Sequence, residues 1–206
     1  MERNLSSSYS ARAKMKIARK LLTSYYLSQM RKAREKLRTM PLNPIKIKIN
    51  FKQLHICPKI DATGLYVDPA DEGLSTDLYA WGFREPINTY MLHKFILEER
   101  ENIDAIVDIG SNIGYFPLVE LTSNVRQIFA VEPNLKAFIF LKRNVGHFKN
   151  VKMLNIAVSD KKENVRMYIP AKMNLATILK EAALRNIKVH NTSIKEVIEV
   201  PALSLI

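Results

Sequence analysis

Two acidic side chains in this sequence each lie at the end of a short apolar run, where they could bind a ligand. Asp108 belongs to the run 103–109 and is followed by Gly110 and Gly114. A short run rich in β-branched residues is typical of a buried parallel strand. A glycine turn that leads into a helix lets the backbone approach a ligand closely. The segment therefore predicts a ligand site, although a helix-capping Asp108 with two turn glycines in an ordinary α/β protein would look the same.

The second acid is Glu132, which ends the apolar run 127–132 and lies 24 positions after Asp108. An acid at the tip of a second strand, about 20 residues past a glycine turn, is placed to accept hydrogen bonds from ribose hydroxyls. It could equally supply a negative charge at the N-terminus of the next helix. Position 112 is Asn, so the G-x-G-x-x-G pattern that cradles a pyrophosphate is absent. We therefore expect a nucleoside ligand without a pyrophosphate.

Four segments, taken in order, resemble one enzyme family. They are Gly-Phe-Arg-Glu-Pro-Ile-Asn-Thr at 82–89, Val-Asp-Ile-Gly-Ser-Asn-Ile-Gly-Tyr-Phe at 107–116, Ala-Val-Glu-Pro-Asn at 130–134 and Asn-Ile-Ala-Val-Ser-Asp at 155–160. Together they are similar to the FkbM-type class I S-adenosylmethionine-dependent methyltransferases, over roughly residues 75–206. The resemblance implies an α/β, Rossmann-like class I methyltransferase sheet, S-adenosyl-L-methionine as cofactor, and methyl transfer to an oxygen of a small molecule or glycan.

The resemblance also implies a set of cofactor-binding residues, and no metal site is predicted. Gly110 would let the methionine part of the cofactor approach, Asp108 would orient its amino group, and Glu132 would hold the ribose hydroxyls. Residues 157–158 would border the adenine, and Glu85 would face the cofactor from the preceding segment. The resemblance assigns no general base. The full set is Glu85, Asp108, Gly110, Asn112, Gly114, Glu132, Ala157 and Val158.

Length and composition limit the class of protein. With 206 residues, of which 47% are apolar and 25% charged, the chain can hold one domain with a substantial core. Its one cysteine, Cys57, cannot form a disulfide within the chain, which fits a reducing compartment. No apolar stretch reaches the roughly 18–20 residues that a membrane span needs, and no signal-peptide core is visible. We therefore expect a cytoplasmic protein.

Positive charge is concentrated at the N-terminus. Residues 1–50 contain 13 Lys and Arg against two acids and so carry +11 of the total of +12. Residues 12–38 contain no Gly or Pro, which predicts a long helix with an apolar stripe and basic flanks. Three interpretations remain open: a nucleic-acid arm, a helix lying on an anionic membrane, and a helix docked on the domain with a solvated basic face. We predict a basic helical arm at 1–42 and a methyltransferase-like domain at 43–206.

The remaining pattern predicts a β-α-β-α-β order and hence a parallel sheet with right-handed crossovers. Asn134 is expected to cap one of the helices and Gly146 to end it. Six residues between the third and fourth strands are too few for a crossover helix, which predicts an antiparallel hairpin there. The predicted strands are 45–51, 103–109, 127–132, 151–158, 165–169 and 195–200, and the predicted helices are 86–101, 115–122, 134–145 and 175–184.

The resemblance stops short of a full class I sheet. Such a sheet has seven strands with the strand of the glycine motif at its centre, and nothing after position 206 supplies the rest. We therefore expect a truncated or split gene product whose first strand has an unpaired edge, and which associates with itself or with a separate C-terminal half. Two alternatives to a small-molecule methyltransferase are an RNA methyltransferase that uses the basic arm and a non-catalytic cofactor-binding module.

Overall fold

The computed structural model describes residues 11–54, 56, 64–71 and 73–204; Cys57 lies outside them. These residues form six α-helices and eight strands, so the protein is an α/β protein. The helices are α1 Ala11–Arg38, α2 Leu74–Trp81, α3 Pro86–Glu99, α4 Tyr115–Leu121, α5 Leu135–Val145 and α6 Lys180–His190. The strands are β1 Ile45–Lys48, β2 Gly64–Val67, β3 Ile106–Ile109, β4 Ile128–Val131, β5 Val151–Leu154, β6 Ala157–Val158, β7 Glu163–Pro170 and β8 Ile194–Leu203.

A three-stranded parallel sheet of order β3-β4-β5 lies at the centre of the fold. Asp108 on β3 is level with Ala130 on β4, which is level with Met153 on β5. Helices α4 and α5 are the crossovers between these strands, so the predicted β-α-β-α-β unit is confirmed. Parallel strands end at the same edge of a sheet, which brings the segments after β3 and β4 together.

The central sheet has an apolar core on one face and exposed apolar side chains on the other. Leu118 of α4, Ile128 of β4 and Leu141 of α5 are fully buried in the main core cluster. On the other face, Val107 and Ile109 of β3 are each about half exposed. In the part of the chain that the structure describes, β3 pairs with β4 alone, so its second edge has no strand partner.

A second sheet of order β6-β8-β7 replaces the predicted hairpin, which was wrong. Strand β8 lies between its two neighbours, parallel to β6 and antiparallel to β7. The predicted strand 151–158 was also wrong in being continuous, because it is broken between β5 and β6. The side-chain amide of Asn155 donates hydrogen bonds to the carbonyl oxygens of Glu132 and Pro133, at 2.8 and 3.0 Å. These bonds tie the segment after β5 to the loop after β4.

The N-terminal part differs from the prediction in its short elements. Helix α1 is as long as predicted, but the strand predicted at 45–51 ends at Lys48 because the Asn50 N–H donates to the Gly82 carbonyl at 2.7 Å. Strand β1 then pairs antiparallel with β2. The unpredicted helix α2 ends at Gly82, which has φ +72° and so adopts the left-handed conformation that favours glycine.

Two further features complete the fold. Asn144 of α5 joins β2 to the central unit, because its side-chain amide bonds the backbone of Tyr66 in both directions and donates to the Ile113 carbonyl. Helix α6 begins five residues later than predicted, since Thr177 forms a bridge with Tyr168 that keeps the preceding segment extended. Among the helices of the described residues, none has the length and apolarity to cross a membrane.

Candidate functional site

The turn after β3 follows the predicted strand–turn–helix arrangement. The N–H groups of Gly110 and Ser111 donate to the Val131 carbonyl, at 2.8 and 3.0 Å, which fixes the turn to the end of β4. Gly110 has φ +85°, and a Cβ built on it would meet no atom within 4 Å. Gly114 has φ +94°, but a Cβ there would lie 3.1 Å from the Leu141 side chain. Gly110 therefore faces open space, whereas Gly114 lets α5 pack against the turn.

Glu132 lies at the tip of β4 and joins the two loops of the site. Its Oε2 accepts a hydrogen bond from the Asn112 N–H at 2.9 Å, and its Oε1 accepts one from the Asn134 N–H at 2.8 Å. Burial raises the pKa of this carboxyl to about 7, with the two backbone bonds lowering it and the charge of Asp108 raising it. A carboxylate has about four acceptor positions, so each oxygen retains capacity for one more hydrogen bond.

Asp108 and Glu120 form a second acidic feature behind the turn. Asp108 Oδ2 and Glu120 Oε2 are buried without a hydrogen-bond partner among the described residues. Burial raises the pKa of Asp108, and a hydrogen bond from Ser111 partly offsets this rise. Burial and the charge of Asp108 raise the pKa of Glu120 to about 8. A nearby cationic group would favour the charged form of both carboxyls.

Glu85 immediately precedes α3 and is held by its neighbours. It has φ +43°, and its carboxylate accepts hydrogen bonds from Arg84 Nε at 2.9 Å and Asn88 Nδ2 at 3.0 Å. Burial raises the pKa of Glu85, but those hydrogen bonds and the charge of Arg84 together bring it below its ordinary value. The Tyr115 hydroxyl bonds both the N–H and the carbonyl of Arg84, which ties this segment to the start of α4.

Two cavities meet at the glycine turn. The first has a volume of about 310 Å³ and contains five of the eight predicted residues: Gly110, Asn112, Glu132, Ala157 and Val158. The second, of about 140 Å³, adds Glu85 beside Gly110 and Asn112. Asp108 and Gly114 line neither cavity and support the turn from behind. The structure thus brings six of the predicted residues to one place.

Several residues of the site were not predicted from the sequence. Asn174 lines both cavities, and its Oδ1 is a buried atom without a partner among the described residues. Thr177 lines the cavity of about 310 Å³. Lys172 and Thr177 lie close to Asn174 in the sequence, so no pattern there marks it as a site residue. Glu120 had a clearer signal, since it is an isolated acid in the apolar helix α4.

A larger cavity of about 720 Å³ lies away from this turn, between β1 and α2. Its lining includes Lys46, Lys48, Lys52 and Trp81 but none of the predicted site residues. A pocket becomes a site through a few convergent polar groups as well as through its volume. The acids and the glycine turn point to the smaller cavities. No group of three or more His, Cys, Asp or Glu side chains within the described ranges could hold a metal ion.

No protein-family model, curated protein or solved structure matches the chain. The interpretation of the site therefore depends on the residues that line it and on their geometry.

Proposed function

We propose that the chain binds S-adenosyl-L-methionine at the Gly110 turn and belongs to the FkbM-type, Rossmann-like class I methyltransferases. The observation that carries this proposal is the common cavity of Gly110, Asn112, Glu132 and residues 157–158. That cavity lies beyond the carboxyl ends of adjacent parallel strands, which is where open α/β sheets bind their ligands.

The residues of the site fit the chemical groups of this cofactor. The open space beside Gly110 admits a ligand close to the backbone. The spare acceptor positions of Glu132 suit two ribose hydroxyls, and the small apolar residues 157–158 suit an adenine face. Asp108 lies behind the turn and lines neither cavity, so a contact from its carboxylate to the amino group of the cofactor would need a bridging water. The cavity volume of about 310 Å³ is at the lower end of the usual range for small-molecule sites.

Gly110 and Glu132 would hold the cofactor, which would supply an electrophilic sulfonium methyl group for attack by an acceptor oxygen, with S-adenosylhomocysteine as the leaving group. The contribution of the chain to such a reaction is to orient the two reactants and exclude water. Glu132 fixes the glycine turn relative to α5 through its two backbone bonds, so the cavity keeps its shape. The Arg84–Glu85 segment closes the side of the turn that faces α3. The acceptor we propose, an oxygen of a small molecule or glycan, rests on the resemblance.

A non-catalytic cofactor-binding module is the second candidate. Among the described residues that line the cavity of about 310 Å³ at the glycine turn, Glu132 is the one charged side chain. Its oxygens accept two backbone hydrogen bonds, and their spare positions are the ones that the ribose hydroxyls would occupy, so it is poorly available as a general base. Binding of the cofactor without methyl transfer to any acceptor would favour this second function.

Calorimetry on the full chain tests the binding that both functions require. We expect S-adenosyl-L-methionine and S-adenosylhomocysteine to bind, and NAD⁺ not to bind, because the turn lacks the pyrophosphate-cradling glycine. Glu132→Ala should weaken binding by roughly 10- to 150-fold, since hydrogen bonds to a charged group contribute about 1.5–3 kcal/mol. The matched control is Glu163→Ala, an exposed acid on β7. Equal affinities of Glu132→Ala and wild type would remove Glu132 from the site.

A further inference from the structure

One face of α1 is partly buried and partly exposed along its length. Ala33 and Leu37 are buried where the second half of the helix packs near α2. Met15, Leu22 and Tyr26 precede them at spacings of seven and four residues, which place all five on one face. Met15 and Leu22 are about 70% exposed. The apolar face that contacts the domain therefore continues along the helix past the domain.

A second apolar row widens this face. Ile17, Leu21 and Tyr25 follow one another at four-residue intervals and are all exposed. Together with the first row they cover about half of the helix circumference over residues 15–26, a length of roughly 18 Å. At its C-terminal end, Tyr26 stacks on Trp81 with ring centroids 5.8 Å apart. A contiguous exposed apolar surface of this kind usually marks an interaction site.

The opposite side of the same segment is basic. Lys16, Arg19 and Lys20 are exposed there, and no acid occurs between residues 11 and 34. Over the whole of α1, ten Lys and Arg stand against Glu35. Apolar residues on one face with Lys and Arg on the other are typical of helices that lie in the interface of a membrane.

We propose that residues 15–26 of α1 form a surface-binding helix for membranes that contain anionic lipid. The apolar rows enter the boundary between headgroups and acyl chains, and the basic residues contact the lipid phosphates. RNA binding would use the basic face and leave the apolar rows in water. A second copy of the chain would bring two strongly positive helices together, which charge repulsion disfavours. An anionic lipid surface is complementary to both faces at once.

Vesicle sedimentation of the full chain tests this proposal. The probes are phosphatidylcholine vesicles and vesicles in which roughly one third of the lipid is phosphatidylserine. The test variant is Leu21→Gln with Leu22→Gln, which keeps the charge and changes exposed side chains only. The matched control is Leu179→Gln with Leu184→Gln, two exposed leucines elsewhere on the chain. Circular dichroism and urea unfolding verify that both variants remain folded.

We expect the wild type and the control to bind the anionic vesicles at least tenfold better than the neutral ones. The Leu21→Gln, Leu22→Gln variant should lose at least tenfold in that binding, and added salt should weaken the binding of the wild type. Absence of binding, or equal binding by wild type and variant, would overturn the proposal. The proposal would also be overturned if the protein bound no vesicles but bound poly(U) equally well with and without the leucine changes. That result would indicate a nucleic-acid arm. A dimer abolished by the same changes, again without vesicle binding, would indicate a second copy.

Discussion

Three carboxyls dominate the site at the residue scale: two are buried and that of Asp108 is partly buried. Asp108, Glu120 and Glu132 lie around one glycine turn, and Asp108 raises the pKa of the other two by charge repulsion. Burying carboxyls costs free energy unless hydrogen bonds or cations compensate. Glu132 has two backbone donors, whereas one oxygen of each of the others has no partner in the described part of the chain. Such an arrangement is typical of functional sites, where burial and like charges shift pKa values.

Glu120→Gln should stabilise the protein at alkaline pH. The pKa of Glu120 is about 8 in the folded chain, against 4.5 for the ordinary side chain. Between these values the folded state holds a proton that the unfolded state has lost, so the stability of the wild type falls as pH rises through this window. Glutamine removes that loss, and the variant should be more stable by on the order of 5 kcal/mol at pH 9.

Urea unfolding at pH 9 and pH 4 measures this difference. Near pH 4 both states of the wild type hold the proton, so the two proteins should have similar free energies of unfolding. Glu163→Gln, at an exposed position on β7, is the matched control and should change little at either pH. A Glu120→Gln protein that is less stable than the wild type at pH 9 would show that the carboxylate has a partner in solution.

At the scale of the elements, local signals decide what the sequence predicts well. Pro86 begins α3, Asn134 caps α5 and Gly146 ends it, as predicted. The strands between these helices were recognisable from their apolar runs. The site is formed by strand ends and a glycine turn, which such local signals mark. Five of the eight predicted residues therefore line the cavity of about 310 Å³, and Glu85 lines the neighbouring one of about 140 Å³.

The predictions that were wrong concern contacts between distant segments. Strand β8 inserts between β6 and β7, which local spacing cannot reveal, and the hairpin was predicted because those two strands are adjacent in sequence. The break after β5 depends on bonds from Asn155 to the loop after β4. Asn174 was missed for the same reason, because it reaches the turn from a segment over 60 residues away. Long-range pairing therefore sets the limit of the sequence analysis.

Asn134→Ala tests the capping of α5. Asn134 has extended backbone dihedrals, and its side chain accepts a hydrogen bond from the Lys136 N–H at 3.0 Å. Alanine leaves that N–H without its acceptor and should lower the free energy of unfolding by about 1 kcal/mol, whereas Asn134→Ser keeps an acceptor and should lose less. Urea unfolding measures both. Equal stabilities of the alanine variant and the wild type would mean that the cap does not hold the helix.

At the scale of the whole molecule, the central sheet is open on one side. Val107 and Ile109 are exposed on β3, and the second edge of that strand is unpaired among the described residues. An apolar strand edge of this kind is a template for pairing with another chain. We expect the protein to associate through β3, either with itself or with a separate partner that adds strands to the sheet.

Val107→Lys tests that association. A lysine on an edge strand opposes pairing with another strand, so the variant should remain monomeric where the wild type increases in mass with concentration. Val189→Lys, at an exposed position on α6, is the matched control and should behave as the wild type. Light scattering over a concentration series measures the mass. A wild type that is monomeric throughout the series would contradict self-association through β3.

The proposed cofactor site at the Gly110 turn is tested most directly by calorimetry. Two variants, Gly110→Ala and Gly82→Ala, are titrated with S-adenosyl-L-methionine and compared with the wild type. Both glycines have positive φ, so alanine strains the backbone at either position by about 1–2 kcal/mol. At Gly82 the added Cβ would also lie 3.0 Å from the Asn50 side chain and 3.2 Å from backbone atoms, so this variant is the more severe test of folding. Only Gly110 lines the proposed cofactor cavity, and its Cβ would project into open space. We predict that Gly110→Ala loses at least tenfold in affinity while Gly82→Ala binds as the wild type. Equal affinities for the two variants, or no binding by the wild type, would contradict a cofactor site at this turn.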